Sequence, residues 1–227
     1  MAKSSRPFKS SRPFFAMLLA LVVVPPESFA FNSPLSDEAI REAYFLGQRR
    51  DESTARFLDK YKQHLAAPET GPYIASVELL TPFARVVLQS SQQTTGNSAQ
   101  QAEAEHRGKE EIVAMNVEVL LTDSYGPLIA RPTGQRSGSP VGYAFRSPDF
   151  WRDIEVRVVT DDGIVKATRS SGEPTYRCSG DDACRLTGAT LRFEFPASAF
   201  ESNTATVQVT PPEGPEVFVD FDLAAVR

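Results

Sequence analysis

Asp153-Ile-Glu-Val-Arg-Val-Val-Thr160, the turn Asp161-Asp162-Gly163, Ile164-Val-Lys-Ala-Thr-Arg169 and, beyond two cysteines, Thr190-Leu-Arg-Phe-Glu-Phe195 are the segments that decide the fold. Ile154, Val156 and Val158 fall on one side of an extended chain, with Glu155 and Arg157 on the other. That is the two-residue period of a half-buried strand. Leu191, Phe193 and Phe195 repeat it against Arg192 and Glu194. Asp162-Gly163 is a hairpin signal, because such turns need positive φ.

The pattern continues outward in both directions. Ala205, Val207 and Val209 alternate, as do Val217, Val219, Phe221 and Leu223 against Asp220 and Asp222, with a Pro-rich loop at 211–215 between them. Upstream, Val113, Met115, Val117, Val119 and Leu121 share a face. Residues 73–80 and 83–89 read as strands split by Thr81-Pro82, and 143–146 as a short one. Residues 126–142, with Pro127, Pro132, Gly134, Gly138 and Pro140, read as a long loop. Residues 99–106 fit a short helix or a polar loop. Many short strands between Gly/Pro turns predict a mainly β (α+β) protein built as an antiparallel sandwich or barrel, of which the β-sandwich is the leading expectation. An immunoglobulin-like form is compatible with this, although the usual Cys…Trp…Cys core is missing.

Ahead of the strands, Ser36 reads as an N-cap, with Asp37 and Glu38 in the first helical turn. Ile40, Ala43, Tyr44 and Gly47 follow at helical spacing. A second helix is expected from Asp51 or Ser53, with Phe57, Leu58, Tyr61 and Leu65 as its apolar face and Lys62 and His64 in its last turn. The two form an expected helical hairpin. The resulting division is a signal peptide at 1–30, the hairpin at 31–70 and the β-sandwich domain at 71–227.

Residues 1–30 carry Lys3, Arg6, Lys9 and Arg12, then an apolar run at 14–24, Pro25-Pro26, and small residues at Ser28 and Ala30. This is the layout of a secretory signal, with cleavage expected after Ala30. An uncleaved anchor is the rival reading, but a spanning helix needs ~20 apolar residues and this run is about half that. Residues 1–30 hold four bases and one acid, so the remainder carries −8 against −5 for the whole chain. An acidic chain without basic clusters excludes nucleic acid as a partner. Two cysteines, Cys178 and Cys184, in an exported chain predict a disulfide. A redox pair would want Cys-x-x-Cys at a helix start.

Catalytic and metal signals are sparse. His64 and His106 lack companions for a zinc site. Gly138-Ser-Pro-Val-Gly142 puts its serine in the wrong place for a nucleophile elbow. Asp161/Asp162 and Asp181/Asp182 read as turn formers, with calcium as the alternative if they converge. Trp151, with Tyr143, Phe145 and Phe150, forms an aromatic cluster. It is a ligand or partner surface if exposed, centred on Tyr143, Phe150 and Trp151, and a core plug if buried.

Ala43-Tyr-Phe-Leu-Gly-Gln-Arg-Arg-Asp-Glu52, Phe57-Leu-Asp-Lys-Tyr61, Gly71-Pro-Tyr-Ile74 and Val77-Glu-Leu-Leu-Thr-Pro82 resemble an uncharacterised family of secreted bacterial proteins. The resemblance covers mainly the first third of the mature chain. It implies no activity, so no functional residues carry over. The expectation is a non-catalytic exported protein, periplasmic or extracellular, needing no cofactor or metal and acting as an interaction module. Its partner would be an envelope protein or a glycan. The alternative is a carbohydrate- or calcium-dependent binding module, and a carboxylate-based hydrolase stands third.

Overall fold

The computed structural model describes residues 31, 33–93, 98–132, 141–179 and 184–227. The expected signal peptide at 1–30 and the pair Asp181/Asp182 lie outside these residues. Among the described residues no helix is long and apolar enough to cross a membrane.

Two helices open the described chain. α1 (Asp37–Arg49) is capped by Ser36, whose Oγ accepts from Ala39 N–H at 3.2 Å. It ends where Arg50 turns left-handed at φ 51°. Asp51 then caps α2 (Glu52–Asp59) by accepting from the N–H groups of Ser53 and Thr54. The chain next enters a five-stranded sheet through β1 (Lys62–His64) and β2 (Tyr73–Leu80), and leaves it through α3 (Pro82–Gln92) and α4 (Ala99–His106).

The sheet resumes with β3 (Ile112–Leu120). A separate ribbon follows, β4 (Leu128–Pro132) and β5 (Val141–Phe145), then a short 3-10 turn at Phe150–Asp153. β6 (Glu155–Thr160) and β7 (Gly163–Val165) form a hairpin, with the positive φ on Gly163. β8 (Arg169–Cys178) and β9 (Cys184–Pro196) complete the first sheet, whose order is β1-β2-β3-β9-β8. β10 (Thr204–Thr210) and β11 (Val217–Asp222) complete a four-stranded sheet of order β11-β10-β6-β7. Every strand pairing is antiparallel.

Strand alternation explains the core. Val77, Leu79, Val113, Met115, Val117, Val119, Leu191 and Phe195 from one sheet join Val158, Ala205, Val207, Val209, Val219 and Phe221 from the other in one apolar cluster. Each fully buried valine, leucine or phenylalanine contributes about 1.5–3 kcal/mol relative to exposure. A second cluster belongs to the helices: Ile40 and Ala43 of α1 meet Phe83, Val86 and Val87 of α3. Gly47 permits this crossing, since a Cβ there would overlap the Ser90 hydroxyl and the Val87 carbonyl. Tyr61, Leu80 and Ala84 join the helices to the sheet. Arg227 fastens the joint: its main-chain oxygen accepts from Tyr61 Oη and Thr81 Oγ1, and its guanidinium pairs with Glu42 and lies 4.7 Å from the Phe83 ring centroid.

Three expectations are corrected. The second helix stops at Asp59 rather than near residue 65; Lys62 and His64 instead pair with Glu78 and Ser76 in the sheet. Tyr61 decides this, because its ring is buried and its carbonyl accepts from Leu79 N–H at 2.9 Å. Residues 83–89 are helix, not strand. Thr81 is the N-cap, Pro82 opens the first turn, and Phe83, Val86, Val87 and Ser90 form the buried stripe. α1 packs chiefly along α3, which lies beyond residue 70 in the chain. The long loop expected at 126–142 has strands β4 and β5 at its ends, and 170–178, for which the sequence carries no reading, belong to edge strand β8. Gly172 and Pro174 break its alternation, and an edge position tolerates both.

Candidate functional site

The β4–β5 ribbon has its amphipathicity reversed. Leu128 pairs with Phe145 and Ala130 with Tyr143, so these four side chains share one face. That face is open to solvent: Leu128 is 53% exposed, Tyr143 74% and Phe145 84%. Ile129 and Ala144, on the other face, are half-buried.

The base of the ribbon is held firmly. Arg146 N–H donates to the Pro127 carbonyl at 2.7 Å and its Nε to the Gly126 carbonyl at 2.8 Å. The same guanidinium lies 3.4 Å from the centroid of the Tyr125 ring, a close cation–π contact. Tyr125 is buried against Phe150, with centroids 6.2 Å apart. Burial raises the Tyr125 hydroxyl pKa, and the Arg146 charge partly opposes the rise. The ribbon therefore presents its apolar face from a fixed root.

Facing the ribbon is the end of the β8–β9 hairpin. Cys178 and Cys184 are opposite one another and form the expected disulfide. Inside them come the pairs Arg177↔Arg185 and Tyr176↔Leu186. Tyr176 is 47% exposed. Between ribbon and hairpin lies a cleft of about 700 Å³, lined by Pro127, Leu128, Phe145, Tyr176, Arg185 and Leu186 among others. A hollow of about 490 Å³ continues it past Arg177 and Cys178. Asp123 borders both. Among the described residues Arg177, Arg185 and Asp123 make no ion pair. The described lining holds one carboxylate and no imidazole.

The aromatic cluster read from the sequence is split by the fold. Tyr143 and Phe145 stand on the open ribbon face, whereas Phe150 is 3% exposed in the main core. Trp151 is half-buried, and its ring lies against Gly172 of β8, where a Cβ would overlap the indole. Tyr143, Phe150 and Trp151 thus do not share one surface. Tyr176, Arg177, Arg185 and Leu128 were not singled out in the sequence. The available signal was the near-mirror pair Tyr176-Arg-Cys178 and Cys184-Arg-Leu186, which marks the two arms of one hairpin.

The histidines are placed differently. His64 is exposed on β1. His106 is half-buried with Nε2 3.0 Å from Glu111 Oε1. The Glu111 carboxylate also accepts from Ser33 Oγ at 2.7 Å and Leu35 N–H at 2.6 Å. Burial alone would raise its pKa, but these hydrogen bonds outweigh it and hold the group below its ordinary value. A hollow of about 250 Å³ lies beside this group. Ser90 borders the hollow, but its hydroxyl donates to the Val86 and Val87 carbonyls within α3. Glu111 thus works as a fastener for the segment before α1.

Asp161 and Asp162 are exposed in the β6–β7 turn. Among the described residues no group of three or more His, Cys, Asp or Glu is placed to hold a metal ion. No protein-family model matches this chain, and no curated protein matches it.

Proposed function

We propose that this is a non-catalytic exported protein that acts as an interaction module of the envelope or the extracellular space. It binds another protein through the open face of the β4–β5 ribbon. One observation carries the reading: Leu128, Tyr143 and Phe145 are exposed together on a ribbon whose root is buried. An apolar face of this kind, fixed and rimmed by charge, is the character of a binding patch rather than of ordinary surface. The disulfide fits an oxidising compartment. We further read the two larger sheets as a β-sandwich, because one apolar cluster draws inward residues from both.

The test is site-specific photo-crosslinking in the native envelope, with a photoreactive phenylalanine at position 145. The control is position 218 of β11, where Phe218 is 60% exposed on the four-stranded sheet. The expected result is a discrete protein adduct from 145, absent from 218 and lost on Tyr143→Ser. The same adducts from both positions would overturn the reading.

The glycan alternative has one observation in its favour, the exposed ring of Tyr176 in the cleft wall. Quenching of protein fluorescence by soluble oligosaccharides, abolished by Tyr176→Ala, would favour it.

A further inference from the structure

The outer face of the five-stranded sheet changes character within one step along its strands. Leu80 of β2 and Ala114 of β3 are register partners that pack with Ala84 and Leu88 of α3. The next pair on the same face is Glu78 and Asn116. Lys62 of β1 and Arg192 of β9 continue that row across the sheet, and Ser76, Glu118 and Thr190 form a second row beside it. These side chains line a hollow of about 220 Å³. With strands about 4.8 Å apart and rows about 7 Å apart, the polar grid measures about 14 Å by 7 Å.

The solvated face of an antiparallel sheet is ordinarily polar, but this one is recessed and braced. Ser76 is 2% exposed, and Glu78, Asn116, Glu118 and Thr190 are half-buried. Asn116 Nδ2 donates to Glu78 Oε2 at 2.7 Å, and Ser76 Oγ donates to Glu118 Oε2 at 3.0 Å. Lys62 Nζ lies 3.8 Å from the same Glu118 oxygen, and Arg192 Nη2 lies 3.2 Å from Glu173 Oε2. Each contact aims a side chain and engages only part of it. Among the described residues, Oε1 of both glutamates and Oδ1 of Asn116 remain as acceptors, while Lys62, Arg192 and the Thr190 hydroxyl retain donors.

That set of groups selects the occupant. Donors and acceptors are interleaved over a flat area, and the described lining holds no apolar side chain. A protein anchor would want an apolar pocket. A polyanion would meet Glu78 and Glu118 in the middle of the grid. A hydroxyl group both donates and accepts, so a neutral sugar ring satisfies both kinds of partner. Donation to an ionised carboxylate also makes the stronger sort of hydrogen bond.

We propose that this hollow is a second binding site, separate from the ribbon, that takes a neutral oligosaccharide laid flat across β2, β3 and β9. Glu78, Glu118 and Asn116 Oδ1 accept from its hydroxyls, and Lys62, Thr190 and Arg192 donate to them.

The experiment is saturation-transfer difference NMR on the full chain, followed by calorimetric titration. Cellotriose, maltotriose and tri-N-acetylchitotriose are the neutral probes; trigalacturonic acid and the peptide Gly-Glu-Lys-Gly are charged probes of similar size. At least one neutral trisaccharide should bind saturably, and about tenfold more tightly than either charged probe. Glu78→Gln and Glu118→Gln keep the side-chain shape and remove the charge. Each should weaken sugar binding about tenfold, the effect of losing a hydrogen bond to a charged group, with the thermal melt little changed. Tyr176→Ala should leave sugar binding as it is.

Binding of none of the neutral probes would overturn the inference, as would tighter binding of a charged probe. Loss of sugar binding in Tyr176→Ala but not in Glu78→Gln would move the sugar to the cleft and overturn it as well. The crosslink from position 145 tests the ribbon separately, so either reading can fail while the other stands.

Discussion

β10–β11 and β4–β5 are both antiparallel pairs of alternating sequence, and they use the alternation in opposite ways. In β10–β11, Ala205, Val207, Val209, Val219 and Phe221 enter the main core while Thr206, Gln208 and Asp220 face outward. In β4–β5 the face with Leu128, Tyr143 and Phe145 is the outward one. Period-2 patterning makes a strand; it does not say which face has a partner within the chain. Where the larger apolar residues face out from a rooted ribbon, the missing partner is the functional question.

The sharpest way to break this comparison is to place one charge in each region. Val207→Asp buries a carboxylate in a fully closed position and should cost about 4–5 kcal/mol or prevent folding. Phe145→Asp should change stability by no more than about 0.5 kcal/mol, as a surface substitution does, yet abolish partner binding. Chemical denaturation of both variants checks the pair. Equal destabilisation would mean that the ribbon face is packed and the comparison wrong.

A smaller effect is expected in the helical layer. Gly47→Ala should destabilise by about 3 kcal/mol, because neither the Ser90 hydroxyl nor the Val87 carbonyl has room to yield. A thermal melt reads it, and an unchanged melting temperature would remove the close α1–α3 crossing.

Next comes the disulfide. Replacing Cys178 and Cys184 by serine should cost about 2 kcal/mol on the chain-entropy account. The crosslink from position 145 should weaken as well, because the same link closes the hairpin end that faces the ribbon. Loss of stability with an unchanged crosslink would separate the two roles.

The smallest effect concerns pH. Glu111 has a folded pKa below its ordinary 4.5. The charged form therefore contributes stability that is complete above about pH 4.5 and is lost as pH falls through the lowered value. Glu111→Gln should lower stability by about 1 kcal/mol at neutral pH, and the gap to the wild type should close in acid. A gap that widened in acid would contradict the fastening role.

Much of this fold could be read from single segments, and the failures have local causes. Residues 112–120, 204–210 and 217–222 were legible because one face of each is apolar and the other polar. Residues 83–89 misled because valines and a phenylalanine suit strands; the Thr81-Pro82 cap and the Phe83/Val86/Val87/Ser90 spacing carried the opposite message. β8 was illegible because Gly172 and Pro174 interrupt it and it is exposed along nearly its whole length, held by its pairing with β9. The site was legible only in pieces. Tyr143, Phe145 and the disulfide stood out, but bringing Phe145 to Tyr176 and Arg185 depends on how a separate ribbon meets a hairpin end, which no local pattern encodes.

The central claim is that the ribbon face is open in the isolated protein and covered in its native setting. Hydroxyl-radical footprinting of the unmodified protein, purified and in intact envelopes, tests this without any substitution. Oxidation of Tyr143 and Phe145 should fall strongly in the envelope while that of Phe218 stays unchanged. Equal oxidation of Tyr143 and Phe145 in both settings would contradict the claim.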